Sequence, residues 1–146
     1  MNNHAVQTKR LVILLVLAVA AFFRLSQLGD SSFRPDTMLF FDMCRRPVGA
    51  LTIFSQWLAL LGQTAQFPFS MAITKLFIDV FHLEPTAFVI RLPNAVFGIL
   101  TAFGMYMLGR QLAGRAFGLL LALFLAVNPF HIQLSREAYF YSAMLL

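Results

Sequence analysis

Long apolar stretches alternate with short polar breaks along this 146-residue chain. A polar start ends in Lys9-Arg10. Leu11 to Phe23 is then unbroken apolar sequence, with Arg24 just beyond. Leu92 to Gly109 holds no Asp, Glu, Lys, Arg or His, and Ala116 to Ser135 holds only His131. A helix needs about 20 apolar residues to cross a bilayer. The runs therefore predict spans over about 9–28, 88–109 and 116–134, with a fourth, partial span over 137–146. Arg24 is expected to snorkel toward the headgroups at the far end of the first span. Ala18-Val19-Ala20 also resembles a signal-peptide cleavage site, although bulky Phe22 and Phe23 follow it where a polar mature end is usual.

Residues 29–87 carry most of the acidic groups and are read as one external segment. "PVGALTIFSQWLALLG", residues 47–62, is short for a span and has Gln56 and Trp57 in its middle, so it predicts an interfacial helix. A crossing there would place Arg110 and Arg115 outside. An interfacial placement keeps Lys9, Arg10, Arg110 and Arg115 all on the cytoplasmic side, as basic flanks prefer. "FPFSMAITKLFIDVFHL", residues 67–83, predicts a second surface helix, with Lys75 and Asp79 as an i,i+4 pair and Glu84-Pro85 as its end. Asp36 suits an N-cap for a helix starting at Thr37 or Met38, and Asp42 is spaced to pair with Arg45 or Arg46. The expected fold is an all-α polytopic integral membrane protein. It has about four transmembrane helices, the last truncated, and two interfacial helices, in one membrane portion covering 1–146 with a cytoplasmic N-terminus.

Composition sharpens this picture. The chain is 60% hydrophobic and 12% charged, about half the charged share of a soluble domain. The net charge of +5 comes from basic residues flanking apolar runs rather than from a basic groove, so no nucleic acid partner is expected. A single cysteine, Cys44, excludes an intrachain disulfide and a Cys-based zinc site and reads as a quiet lipid-facing or buried thiol. Gly98 with Ala102, and Gly118 with Ala122 and Ala126, form small stripes suited to close helix packing.

Few residues could do chemistry. Asp36, about a dozen residues past the first span, is the candidate general base or the ligand of a divalent metal. Helix cap and catalytic group are compatible roles for it. Arg136-Glu137 lies on the same outer face; adjacent helical residues point about 100° apart, so each needs a partner elsewhere. Arg91 suits either the mouth of a span or a substrate phosphate. His82 and His131 stand far apart with no cysteine or clustered carboxylate, a poor basis for zinc.

The ordered motifs Arg91-Leu92-Pro93, Gly109-Arg110 with Leu112, Gly114-Arg115, Pro129-Phe130-His131 and Ser135-Arg136-Glu137-Ala138 with Tyr141 complete the reading. Residues 88–146 resemble C-type membrane glycosyltransferases of the branch containing protein mannosyltransferases and aminoarabinose transferases. The resemblance implies inverting transfer of a sugar from a polyprenyl-phosphate sugar to a lipid, glycan or protein acceptor on the extracytoplasmic side. The setting would be a bacterial inner membrane. It also implies Asp36 as the catalytic or metal-holding acid, for Mg²⁺ or Mn²⁺. Arg136, Glu137, His131, Tyr141 and Arg91 would line the lipid-phosphate site. Thr37 stands where the family commonly has a second acid, and Phe67-Pro68-Phe69 replaces its usual His-Pro-Pro. The chain is then expected to be an N-terminal portion, inactive by itself. The rival reading is a small non-catalytic membrane subunit, or a degenerate paralogue, that binds a partner or lipid.

Overall fold

Local signals explain where each helix begins and ends. The computed structural model describes residues 3–30, 35–59 and 68–137. Among these are seven helices and no strand: α1 Asn3–Leu25, α2 Pro35–Arg45, α3 Ala50–Ala59, α4 Pro68–Phe81, α5 Ala87–Ala113, α6 Arg115–Val127 and α7 Pro129–Arg136. Proline opens α2, α4 and α7, where its missing N–H costs nothing because the first turn has no acceptor for it. The end of α4 is a Schellman-type turn: His82 takes φ 50° and the Leu83 N–H bonds the Ile78 carbonyl, with Pro85 following. Thr86 caps α5 by accepting from the Val89 N–H at 3.3 Å. A single residue, Gly114 at φ 87°, reverses the chain between α5 and α6.

The helices pack around two cores. In one, Val16 and Ala20 of α1 meet Ala102 and Tyr106 of α5 and Ala122 and Ala126 of α6. The small stripes are packing surfaces, as expected: a Cβ on Gly109 would come within 2.8 Å of the Gly118 Cα, so the α5 and α6 backbones nearly touch. The second core joins Cys44 of α2, Ile53 of α3, Ile78 of α4 and Ile90 of α5. α5 therefore links the bundle to the cap formed by α2, α3 and α4.

α5 is long and apolar enough to cross a bilayer. α6 and α7 pass the same test together, but bend by 60° at their junction. The apolar part of α1 covers Leu11–Leu25. Leu14, Leu15, Phe22, Leu120 and Phe124 are more than half exposed on the outer faces of this bundle.

Several expectations need correcting. The run 116–134 is not one straight helix. Asn128 is an N-cap whose side chain accepts from the His131 N–H at 3.1 Å, and Pro129 is the first residue of α7. Among the described residues of 29–87 there are three helices: the two expected at the surface, α3 and α4, and α2, the helix expected after Asp36. α2 starts at Pro35, so Asp36 lies in its first turn and is not the cap before Thr37. Asp42 is exposed and pairs with neither Arg45 nor Arg46; Arg45 instead lies over the Phe41 ring, 4.5 Å from its centroid. The Lys75–Asp79 pair is formed as expected, at 2.7 Å.

Candidate functional site

Polar side chains gather at one end of the bundle, where the end of α1, the first turns of α5 and the α6–α7 break meet. Arg24 is at the centre. It is fully buried, not snorkelled as its place near the end of an apolar run suggested. Its Nη1 donates to the Ala20 carbonyl at 3.0 Å and the Ala126 carbonyl at 3.2 Å; its Nη2 donates to the Leu125 carbonyl at 2.9 Å and to His131 Nδ1 at 2.7 Å. The C-terminal ends of α1 and α6 both present carbonyl oxygens to this one cation, and helix C-termini favour positive charge. A buried charge is tolerated only when paired or hydrogen-bonded, and these four bonds supply that.

Arg91 is also buried, at 4% exposure, rather than extended to a headgroup layer. Its Nη1 donates to the Leu28 carbonyl at 2.9 Å. On α7, Arg136 Nη2 donates to the Gln27 carbonyl at 3.0 Å. Two arginines from different helices thus clamp successive carbonyls of the turn after α1. Glu137 caps the end of α7; its carbonyl accepts from Asn94 Nδ2 at 3.2 Å, and its charge acts on Arg91. The expectation that the two side chains look away from one another for partners is met for Arg136 by the Gln27 carbonyl; the Asn94 bond to Glu137 is made by its backbone.

His131 is 4% exposed, and Ser135 beside it is fully buried. Arginine nitrogens only donate, so Nδ1 of His131 must offer its lone pair to Arg24 and the ring proton sits on Nε2. Ser135 Oγ donates to the His131 carbonyl at 2.6 Å and lies 3.3 Å from Nδ1. Space for this node comes from Gly98. A Cβ there would lie 2.7 Å from Ser135 Cβ and 2.9 Å from Arg24 Nε.

The structure therefore brings together Arg91, His131, Arg136 and Glu137 of the expected site. It adds Arg24, Asn94, Ser135 and Gly98. An arginine inside an apolar run was the available signal for Arg24, since intramembrane charges mark sites by default. Asn94 and Ser135 had no such signal. Of Asp36 only the backbone, in the first turn of α2, is described, and Tyr141 lies outside the described residues. Among the described residues no three His, Cys, Asp or Glu side chains gather to hold a metal ion, so the described end of the bundle does not form a metal cage.

The arrangement has a clear electrostatic bias. Three guanidiniums and one carboxylate meet at one end of a largely apolar bundle, a setting suited to an anionic group carried on an apolar molecule. Neither curated proteins nor solved structures give a match. The sequence profile of the dolichyl-phosphate-mannose-protein mannosyltransferase family matches residues 65–146, more than half of the chain. The chain belongs to that family, whose members are glycosyltransferases of mannosyltransferase type.

Proposed function

We propose that this protein transfers a sugar from a polyprenyl-phosphate sugar to an acceptor on the extracytoplasmic side of a membrane. The observation that carries the reading is the convergence of Arg24, Arg91 and Arg136, opposed by Glu137, at the end of the bundle nearest α2. Arg24 and Arg91 are committed to carbonyls and set a positive field. Arg136 is only partly buried and spends one donor on Gln27, so its other N–H groups can meet the donor phosphate. The lipid tail would lie along the exposed apolar faces of the spans.

Asp36, in the first turn of α2, takes the proton from the acceptor hydroxyl as it attacks the anomeric carbon. The bond to the phosphate oxygen breaks, and the leaving phosphate gains charge that the arginines stabilise. Attack opposite the leaving group inverts the sugar. α1, α5 and the α6–α7 pair serve as spans, and residues 29–87 lie outside with α2, α3 and α4 at the surface.

The test is transfer from radiolabelled polyprenyl-phosphate mannose by the full-length protein in nanodiscs, with and without Mg²⁺ or Mn²⁺. Asp36→Asn is expected to lower kcat by about 100-fold or more, the usual contribution of a general base. Arg136→Gln should mainly raise the donor KM, by about tenfold, the loss of one charge-assisted bond. Asp36→Asn within about threefold of wild type would remove Asp36 from the chemistry; no transfer by the wild type would favour the non-catalytic reading.

A further inference from the structure

Pro129 has no N–H, so the Leu125 carbonyl four residues earlier has no partner within its own helix. The bend after Val127 separates the Ala126 carbonyl from Phe130 in the same way. Unsatisfied carbonyls are costly in an apolar bundle. Arg24, from a helix more than 100 residues earlier in the chain, donates to both carbonyls, at 2.9 and 3.2 Å. The same planar group reaches across the break to His131 on α7 and back to Ala20 on its own helix. One guanidinium thus bonds to α1, α6 and α7 together.

We propose that Arg24 is a positioning residue: it substitutes for the backbone donors that Pro129 and the bend take from Leu125 and Ala126, and so holds the 60° bend that carries Arg136 to the Gln27 carbonyl. Three features support a built device. Gly98 leaves room for Arg24 and Ser135 where any Cβ would collide. Asn128 caps α7 independently, so the break does not depend on chance strain. His131, whose Nδ1 must accept from Arg24, ties the first turn of α7 to the same group. Lysine could supply the charge but not the fork of donors that meets four acceptors at once. The effect on transfer rests on the function proposed above; the bend and the His131 tautomer do not.

The experiment is a double-mutant cycle on the full-length protein in detergent, following reversible unfolding. Arg24→Met is expected to weaken folding by about tenfold or more, because at least one buried carbonyl loses its donor. In a Pro129→Ala background, residue 129 regains an N–H for Leu125, and the same change should cost clearly less. An equal penalty in both backgrounds overturns the proposal. Arg24→Lys keeps the charge and serves where Arg24→Met does not fold; stability and donor KM equal to wild type would likewise overturn it. A third readout is ¹⁵N NMR of histidine-labelled protein, with the His131 signals assigned by their loss in His131→Asn. A proton on Nε2 and a bare Nδ1 are expected. Protonated Nδ1 would show that Arg24 does not donate there. If the wild type transfers no sugar, the cycle and the NMR still decide the role of Arg24, while the proposed function fails separately.

Discussion

Cys44 lies on the inner side of α2, 1% exposed, against Ile53, Ile78 and Ile90. Burial pushes its thiol up from 9.0 to about 12; the nearby Lys75 charge pulls it down and Asp79 pushes it up. The thiolate is the reactive form. Three pH units between 9 and about 12 predict alkylation at pH 8 roughly a thousandfold slower than for an exposed thiol. Mass spectrometry after timed maleimide treatment measures this, and labelling at the rate of a free thiol would place Cys44 outside the core. The sign of the stability effect follows. The folded thiol stays neutral up to about pH 12, while the unfolded one ionises near 9.0. The stabilisation is complete below pH 9.0 and is lost as pH rises toward about 12.

At the scale of elements, the α5–α6 turn depends on one backbone conformation. Gly114 has φ 87° and ψ −179°, a region open almost only to glycine. A Cβ there would meet nothing within 4 Å, so the cost of Gly114→Ala is purely conformational. It is expected to destabilise by about 1–3 kcal/mol, as a lowered unfolding midpoint. A midpoint equal to wild type would mean that the turn adopts another shape. Some local features were readable in the chain: the Lys75–Asp79 pair depends only on neighbours, and Glu84-Pro85 marked the end of α4 to within three residues, the helix stopping at Phe81 with His82 in the left-handed region. The break at Asn128-Pro129 was also written locally, as a cap followed by a first-turn proline, but the apolar run across it concealed the signal. The helix from Pro35 was obscured in a different way: Asp36 looks like a cap, whereas the proline before it already belongs to the helix.

At the scale of the whole molecule, α5 joins two bodies. Its first turns reach the cap of α2, α3 and α4 through Ile90, and its later turns pack in the bundle through Ala102 and Tyr106. If α5 crosses the membrane as proposed, Asp42 and Gln111, both exposed, lie on opposite sides. In a Cys44→Ser background, Asp42→Cys should react with an impermeant maleimide from the extracytoplasmic side. Gln111→Cys should react only after permeabilisation. Labelling of both from the same side of sealed membranes would mean that α5 does not cross.

The sequence by itself determined the helical, apolar character of the chain, the approximate places of its helices and the small stripes where helices touch. Each of these depends on residues within a turn or two of one another, or on composition alone. It also marked Arg91, His131, Arg136 and Glu137 as polar groups in costly places, without their partners. Only tertiary structure decided where those groups point. The partners of Arg24 on α6 and α7 lie 101, 102 and 107 residues away, that of Arg91 63 away and that of Arg136 109 away. An arginine at the end of an apolar run can snorkel to water or turn inward. Inward wins for Arg24 because the bent α6–α7 pair presents unpaired carbonyls and an imidazole nitrogen there, and Gly98 leaves the space for it.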